Sequence, residues 1–183
     1  LYALYELAQS VSKSLNLDEA MGFISSKIAR LLHYRCLVLY LHDRERGVLR
    51  AQYVSGRDAS RLRGHEIRPG ERMSGWAAVH RLPILGRAHG DPVRSEGTRS
   101  DLEELLAREE IERLENAIVA PLLDGDQVLG ALALYDRPDR PYEEDHLRVI
   151  SIIARHVSNA VKNALLYGAT KESALTDPLT RLP

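Results

Sequence analysis

Apolar residues recur at helical spacing near both ends of the chain and gather into short runs between them. Leu4, Leu7, Ala8, Val11 and Leu15 predict a helix over 1–15. A second helix is predicted to about His33, with Ala20, Phe23, Ile24, Ile28 and Leu31 on one face. Asn16 stands ahead of it with Glu19 three positions on, a capping-box arrangement. The continuous run 35–43 and the alternating run 48–56 predict a β-hairpin across the Gly47 turn. Residues 67–85 break at Pro69-Gly70, carry a short helix with Met73, Trp76, Ala77 and Val79, and return to extended structure at 82–85. A long polar stretch, 86–100, leads to a helix over 100–114 that Ser100 and Glu103 can cap. Residues 116–136 form the clearest hairpin, two apolar runs around Asp124-Gly125-Asp126. From Glu143 a single helix is predicted to Leu175. Antiparallel hairpins interleaved with helices define an α+β fold: a central antiparallel sheet flanked by helices, with a long C-terminal linker helix.

Composition narrows the function. The 183 residues carry a net charge of −1, so no basic field is present to draw nucleic acid. No apolar run reaches the ~18 residues of a spanning helix, so this segment is expected to make no membrane contact. Cys36 is the one cysteine, which excludes an internal disulfide and a Cys-rich zinc site and fits a cytoplasmic protein. The seven His (33, 42, 65, 80, 89, 146 and 156) are scattered without metal-ligand spacing, and no metal or catalytic residue is assigned. His33 and His156 lie near apolar helix faces and read as structural. Cys36 reads as a small buried apolar residue.

The segment 69–85, with Gly70-Glu71, Ser74-Gly75-Trp76-Ala77-Ala78 and Leu82-Pro83, resembles a GAF domain, a sensory relative of the PAS fold. The hairpin at 117–136, the closing helix at 142–167 and Gly90-Asp91-Pro92 add to the resemblance, which covers about residues 1–168. The last residues, Asp177-Pro178-Leu179-Thr180 with Leu182-Pro183, resemble the opening of a GGDEF, or diguanylate cyclase, domain. The expected organisation is a GAF domain over 1–168, a helical linker over 169–176 and the truncated start of a GGDEF domain over 177–183. The chain begins without Met and stops at Pro183, and is expected to be a segment of a longer protein. The resemblance implies a sensory module controlling cyclic di-GMP synthesis, with no chemistry of its own. A ligand-free dimerisation module, or a sensor for another output such as a histidine kinase, remains the alternative.

The same resemblance locates sites. No cofactor is evident. Bilin-binding and methionine-sulfoxide-reducing relatives need cysteines that are absent here, and the Asn-Lys pair of cyclic-nucleotide binders is missing beside Asp136-Arg137. An unidentified small molecule is expected between the sheet and the 69–100 segment, lined by Tyr40, Tyr53, Met73, Trp76, His89 and Arg99. In the last helix Ile150, Ile153, Val157, Ala160, Ala164 and Tyr167 follow coiled-coil spacing, and Leu147, Ala154, Val161 and Leu165 make a second stripe. One stripe is expected to pack on the sheet. The seam from Ile150 to Tyr167 is expected to face a second copy in a parallel homodimer that feeds the cyclase.

Overall fold

A computed structural model describes residues 16–57, 59–86, 100–102, 105 and 114–175, with side chains as far as 167. The predicted helices over 1–15 and, for the most part, 100–114 lie outside the described residues. So do His89, Arg99 and the terminal signature at 177–183.

Helix α1 (Leu17–Leu31) opens on Asn16, whose side chain accepts from the Asp18 amide at 3.0 Å. Asn16→Ala is expected to cost about 1 kcal/mol, read as a lower denaturant midpoint with an unchanged slope. The hairpin β1 (Cys36–Asp43) and β2 (Val48–Gly56) follows, then one turn of helix, α2 (Ala59–Leu62), and a short strand β3 (Glu66–Ile67). Helix α3 (Arg72–His80) leads to β4 (Ile84–Gly86). Strands β5 (Asn116–Asp124) and β6 (Gln127–Asp136) form the second hairpin, turning at Gly125 with φ 56°. Helix α4 (Glu144–Leu175) closes the described chain. No described helix is long and apolar enough to cross a membrane.

The six described strands form one antiparallel sheet in the order β3-β2-β1-β6-β5-β4. Because side chains alternate along a strand, β1 and β6 each supply two cores. Leu37, Leu39, Leu132 and Leu134 face α1 and α4. Val38, Tyr40, Ala133 and Tyr135 face α3 and Leu102.

The buried face of α1 differs in part from the periodic reading. Met21 and Ser25 join Ala20, Ile24 and Ile28 inside, while Phe23 and Leu31 are exposed and the Lys27 ammonium lies 5.2 Å from the Phe23 ring centre. The expected dimer seam is corrected more substantially. Ile150, Ile153, Val157 and Ala160 are buried in the chain's own core, together with Ala154 and Val161 of the second stripe. Both stripes form one broad face against the sheet and α1, so these residues have no surface to offer a partner. The expected seam keeps only its distal end: Ala164 is half-buried and Tyr167 exposed, beside exposed Leu165 and Leu166.

Candidate functional site

Gly75 allows α3 to sit close on the preceding turn. Its Cβ position falls on the carbonyl oxygen of Arg68, so any side chain would push the helix away. The turn is fixed by the Gly70 amide donating to the Gly75 carbonyl at 2.9 Å and the Glu71 amide to Arg68 at 3.1 Å. Arg72 then starts the helix at φ 57°, a left-handed conformation that costs a non-glycine residue roughly 1 kcal/mol. Ser74 is thereby turned inward and fully buried.

Beneath α3 lies a sealed polar cluster. Asp101 is 3% exposed. Its Oδ1 accepts from the Ser74 amide at 2.8 Å, and its Oδ2 accepts from the Ser74 hydroxyl and the Tyr135 hydroxyl, each at 2.6 Å. The Tyr135 hydroxyl also meets that of Tyr40, which lies 3.2 Å from His65 Nδ1. Burial pushes the Asp101 carboxyl up, and the donors from Ser74 and Tyr135, with His65 nearby, pull it back. Tyr40 and Tyr135 are held well above the ordinary phenol value by burial and then by Asp101, so both stay neutral donors. Among the described residues no buried side-chain nitrogen or oxygen lacks a partner.

A second cluster joins the end of β6 to the start of α4. His33 Nδ1 lies 2.7 Å from Asp136 Oδ2, and Asp136 Oδ1 accepts from the Arg137 amide. The His33 ring stacks on Tyr142 with centres 4.9 Å apart and an interplanar angle of 5°. Tyr142 donates to the His33 carbonyl at 2.8 Å, and His146 meets both rings edge-on. Burial, reinforced by Asp136, pushes the Tyr142 phenol up, so it too remains a donor.

Near the hairpin ends a cleft of about 340 Å³ opens between His42, Leu49, Pro69, Ala78, Val79 and Val128. Arg81, also at its edge, donates to the Gly125 and Asp126 carbonyls at 2.6 Å each and ties the end of α3 to the β5–β6 turn.

Of the residues expected to line a ligand site, Tyr40 and Met73 are buried on the α3 side, and Trp76 is half-buried there, stacked on His80 at 4.1 Å. Tyr53 is on the opposite side of the sheet, 3.0 Å from the Ser25 hydroxyl of α1, and is corrected out of that group. It pairs with Leu39, and residues opposite one another on neighbouring strands share a face. Ser74, Asp101, Tyr135 and His65 were not among the expected site residues. Asp101 meets its partners 27 and 34 positions away, a separation that leaves no local pattern. Among the described residues no group of three or more His, Cys, Asp or Glu could hold a metal ion.

An antiparallel sheet with its closing helix on one face and short helices over a buried polar cluster on the other defines a small α+β domain. The GAF domain family model matches residues 14–162, and the chain belongs to that family. The fold is shared with the GAF domain of a phosphoenolpyruvate-protein phosphotransferase from Coxiella burnetii, at TM-score 0.75 and 18% identity over 92% of this chain and 95% of that one. The GAF domain of a two-component sensor histidine kinase from Bacillus halodurans aligns at TM-score 0.66 and 18% identity over 85% and 99%. Free methionine-R-sulfoxide reductase from Neisseria meningitidis, solved with its substrate, aligns at 0.69 and 13% over 90% and 89%. No curated protein sequence matches the chain.

Proposed function

We propose that this GAF domain is a cytoplasmic regulatory module in which a small molecule, bound on the α3 side of the sheet, alters the seating of α4 and so the activity of an output domain that follows it. One observation carries the reading: consecutive residues of β6 serve the two clusters. Tyr135 holds Asp101 on the ligand side, and Asp136 holds His33 against Tyr142 at the root of α4. A shift of β6 on one face is a shift of the helix root on the other. A ligand that favours one seating of α4 moves the population by its differential affinity.

Helix α4 continues beyond the buried Val161 into exposed Leu165, Leu166 and Tyr167. A second copy covering these residues makes the module a homodimer and brings two outputs together. The terminal Asp-Pro-Leu-Thr signature supports a diguanylate cyclase as that output, an enzyme whose product joins two nucleotides and whose rate therefore depends on dimer geometry. All chemistry then resides in the output domain.

Light scattering tests the dimer. The chain is expected to run as a dimer at micromolar concentration, and the double variant Leu165→Asp, Leu166→Asp to weaken association at least about 100-fold. A monomeric parent chain, or an unaffected double variant, overturns the assembly. Cyclic di-GMP formation from GTP, measured with the following domain attached, tests the output.

A further inference from the structure

The cleft of about 340 Å³ beside α3 shares no described residue with the sealed cluster around Asp101, and its space is preformed. Its walls are mostly aliphatic. Leu49 and Ala78 are buried in the core on the α3 side, Val128 packs against that core, and Val79 is 53% exposed. Walls of this kind hold the apolar body of a small molecule, and the volume is within the range of ligand sites. Two polar side chains, His42 and Arg81, complete the lining. None of the described residues bonds the His42 ring.

Arg81 gives the cleft its chemical sign. It ends α3 at φ 60°, the left-handed conformation that favours glycine at a helix end. An arginine held there contributes through its side chain. Its Nη1 donates to the Asp126 carbonyl and its Nη2 to the Gly125 carbonyl, each at 2.6 Å. These two bonds use part of a guanidinium's five-donor fork and aim the rest. Both acceptors are neutral, and no acid among the described residues pairs with the cation. Asp124, in the same hairpin, is already taken by the Lys162 ammonium at 2.8 Å. Tying α3 to the β5–β6 turn accounts for the fork and leaves the charge without a counterpart, at the edge of an apolar space.

We infer that this cleft binds an amphipathic carboxylate. Its aliphatic body lies against Leu49, Val79 and Val128, and its carboxylate accepts from the free N–H groups of Arg81, with His42 as a further donor. The ligand thereby supplies the charge that Arg81 lacks. Because Arg81 also holds the β5–β6 turn, an occupied cleft braces α3 against the start of β6. The inference rests on the reading of the α3 side as the ligand face. It adds the place of the ligand and its chemical class.

Octanoate is the probe. Titrated into the isotope-labelled chain, it is expected to bind with a Kd of about 100 μM and to shift the amide signals of Leu49, Val79 and Val128. Octanamide keeps the body without the charge and is expected to bind about tenfold more weakly. Acetate keeps the charge without the body and is expected to show no binding below about 10 mM. No shift at about 1 mM octanoate, equal affinity for octanoate and octanamide, or shifts confined to exposed residues 165–167 overturn the inference. Arg81→Gly suits the left-handed backbone and is expected to fold. In that variant octanoate falls to the affinity of octanamide, whose own binding is unchanged. A parallel loss of both probes makes Arg81 a structural tie and overturns the carboxylate assignment. Should the variant fail to fold, Val79→Glu adds an acid at an exposed position of the cleft and is expected to weaken octanoate about tenfold more than octanamide; equal effects on the two overturn the inference. Octanoate that binds here without changing hydrogen exchange at 144–150 upholds the site and removes its link to α4. A dimeric chain that ignores octanoate loses the site and keeps the proposed assembly.

Discussion

Gly130→Ala is expected to destabilise the domain by about 3 kcal/mol or more, among the largest effects of a single methyl group. Gly130 lies in β6 between Leu41 of β1 and Leu122 of β5, at the centre of the sheet. A Cβ added there falls on the carbonyl oxygen of Tyr40. That atom is backbone, so no rotamer change relieves the collision. The β1–β6 ladder must open instead, at the strand that carries Tyr40 into the polar cluster. The β1–β6 pairing is regular from Cys36 to Leu41, and the register shifts nearby lie between Leu39 and Tyr40 in the β1–β2 ladder and between Leu122 and Leu123 in the β5–β6 ladder. The check is chemical denaturation: the midpoint falls while the slope is unchanged. A loss below about 1 kcal/mol would mean that the strands separate easily here, against the close-approach argument.

Tyr142→Ala is expected to cost about 4 kcal/mol, and Tyr142→Phe about 1 kcal/mol. The tyrosine is 1% exposed, stacks on His33 and donates to the His33 carbonyl. Phenylalanine keeps the stack and loses one hydrogen bond. Alanine removes the ring that fastens the segment before α4 to the end of β6. Hydrogen exchange separates the two consequences. In Tyr142→Phe only the neighbourhood of His33 loses protection, whereas in Tyr142→Ala the first two turns of α4 exchange faster as well. Under the proposed relay, Tyr142→Ala also leaves the output insensitive to ligand. Equal losses in the two variants would assign the whole effect to the hydroxyl and remove the ring as the fastening.

Local pattern was sufficient for most of the framework. The Asp124-Gly125-Asp126 turn and the two apolar runs around it specify the β5–β6 hairpin, and Asn16 marks the start of α1. Pattern failed where the answer depended on what stands opposite. Ile150, Ile153 and Val157 have the spacing of a coiled-coil seam, but that spacing suits a sheet or a second helix equally well, and the domain's own sheet is what they meet. Tyr40 and Tyr53 both read as lining residues. The register that pairs Tyr53 with Leu39 puts them on opposite faces, and no feature of either strand alone announces that register. Phe23 and Leu31 lie on the margin of the helical stripe, where a few degrees of rotation decide between core and solvent. The polar cluster was the least legible part, because Ser74, Asp101 and Tyr135 come from three separate segments and become a site only when α3 and β6 are brought together.

Among the described residues the outermost strands of the sheet are brief, two residues in β3 and three in β4. Margins of that length give an incoming strand few main-chain groups to bond at β3 and β4 themselves. At these two strands, encounters between copies are channelled away from strand addition, even though both faces of the sheet are rich in aliphatic residues.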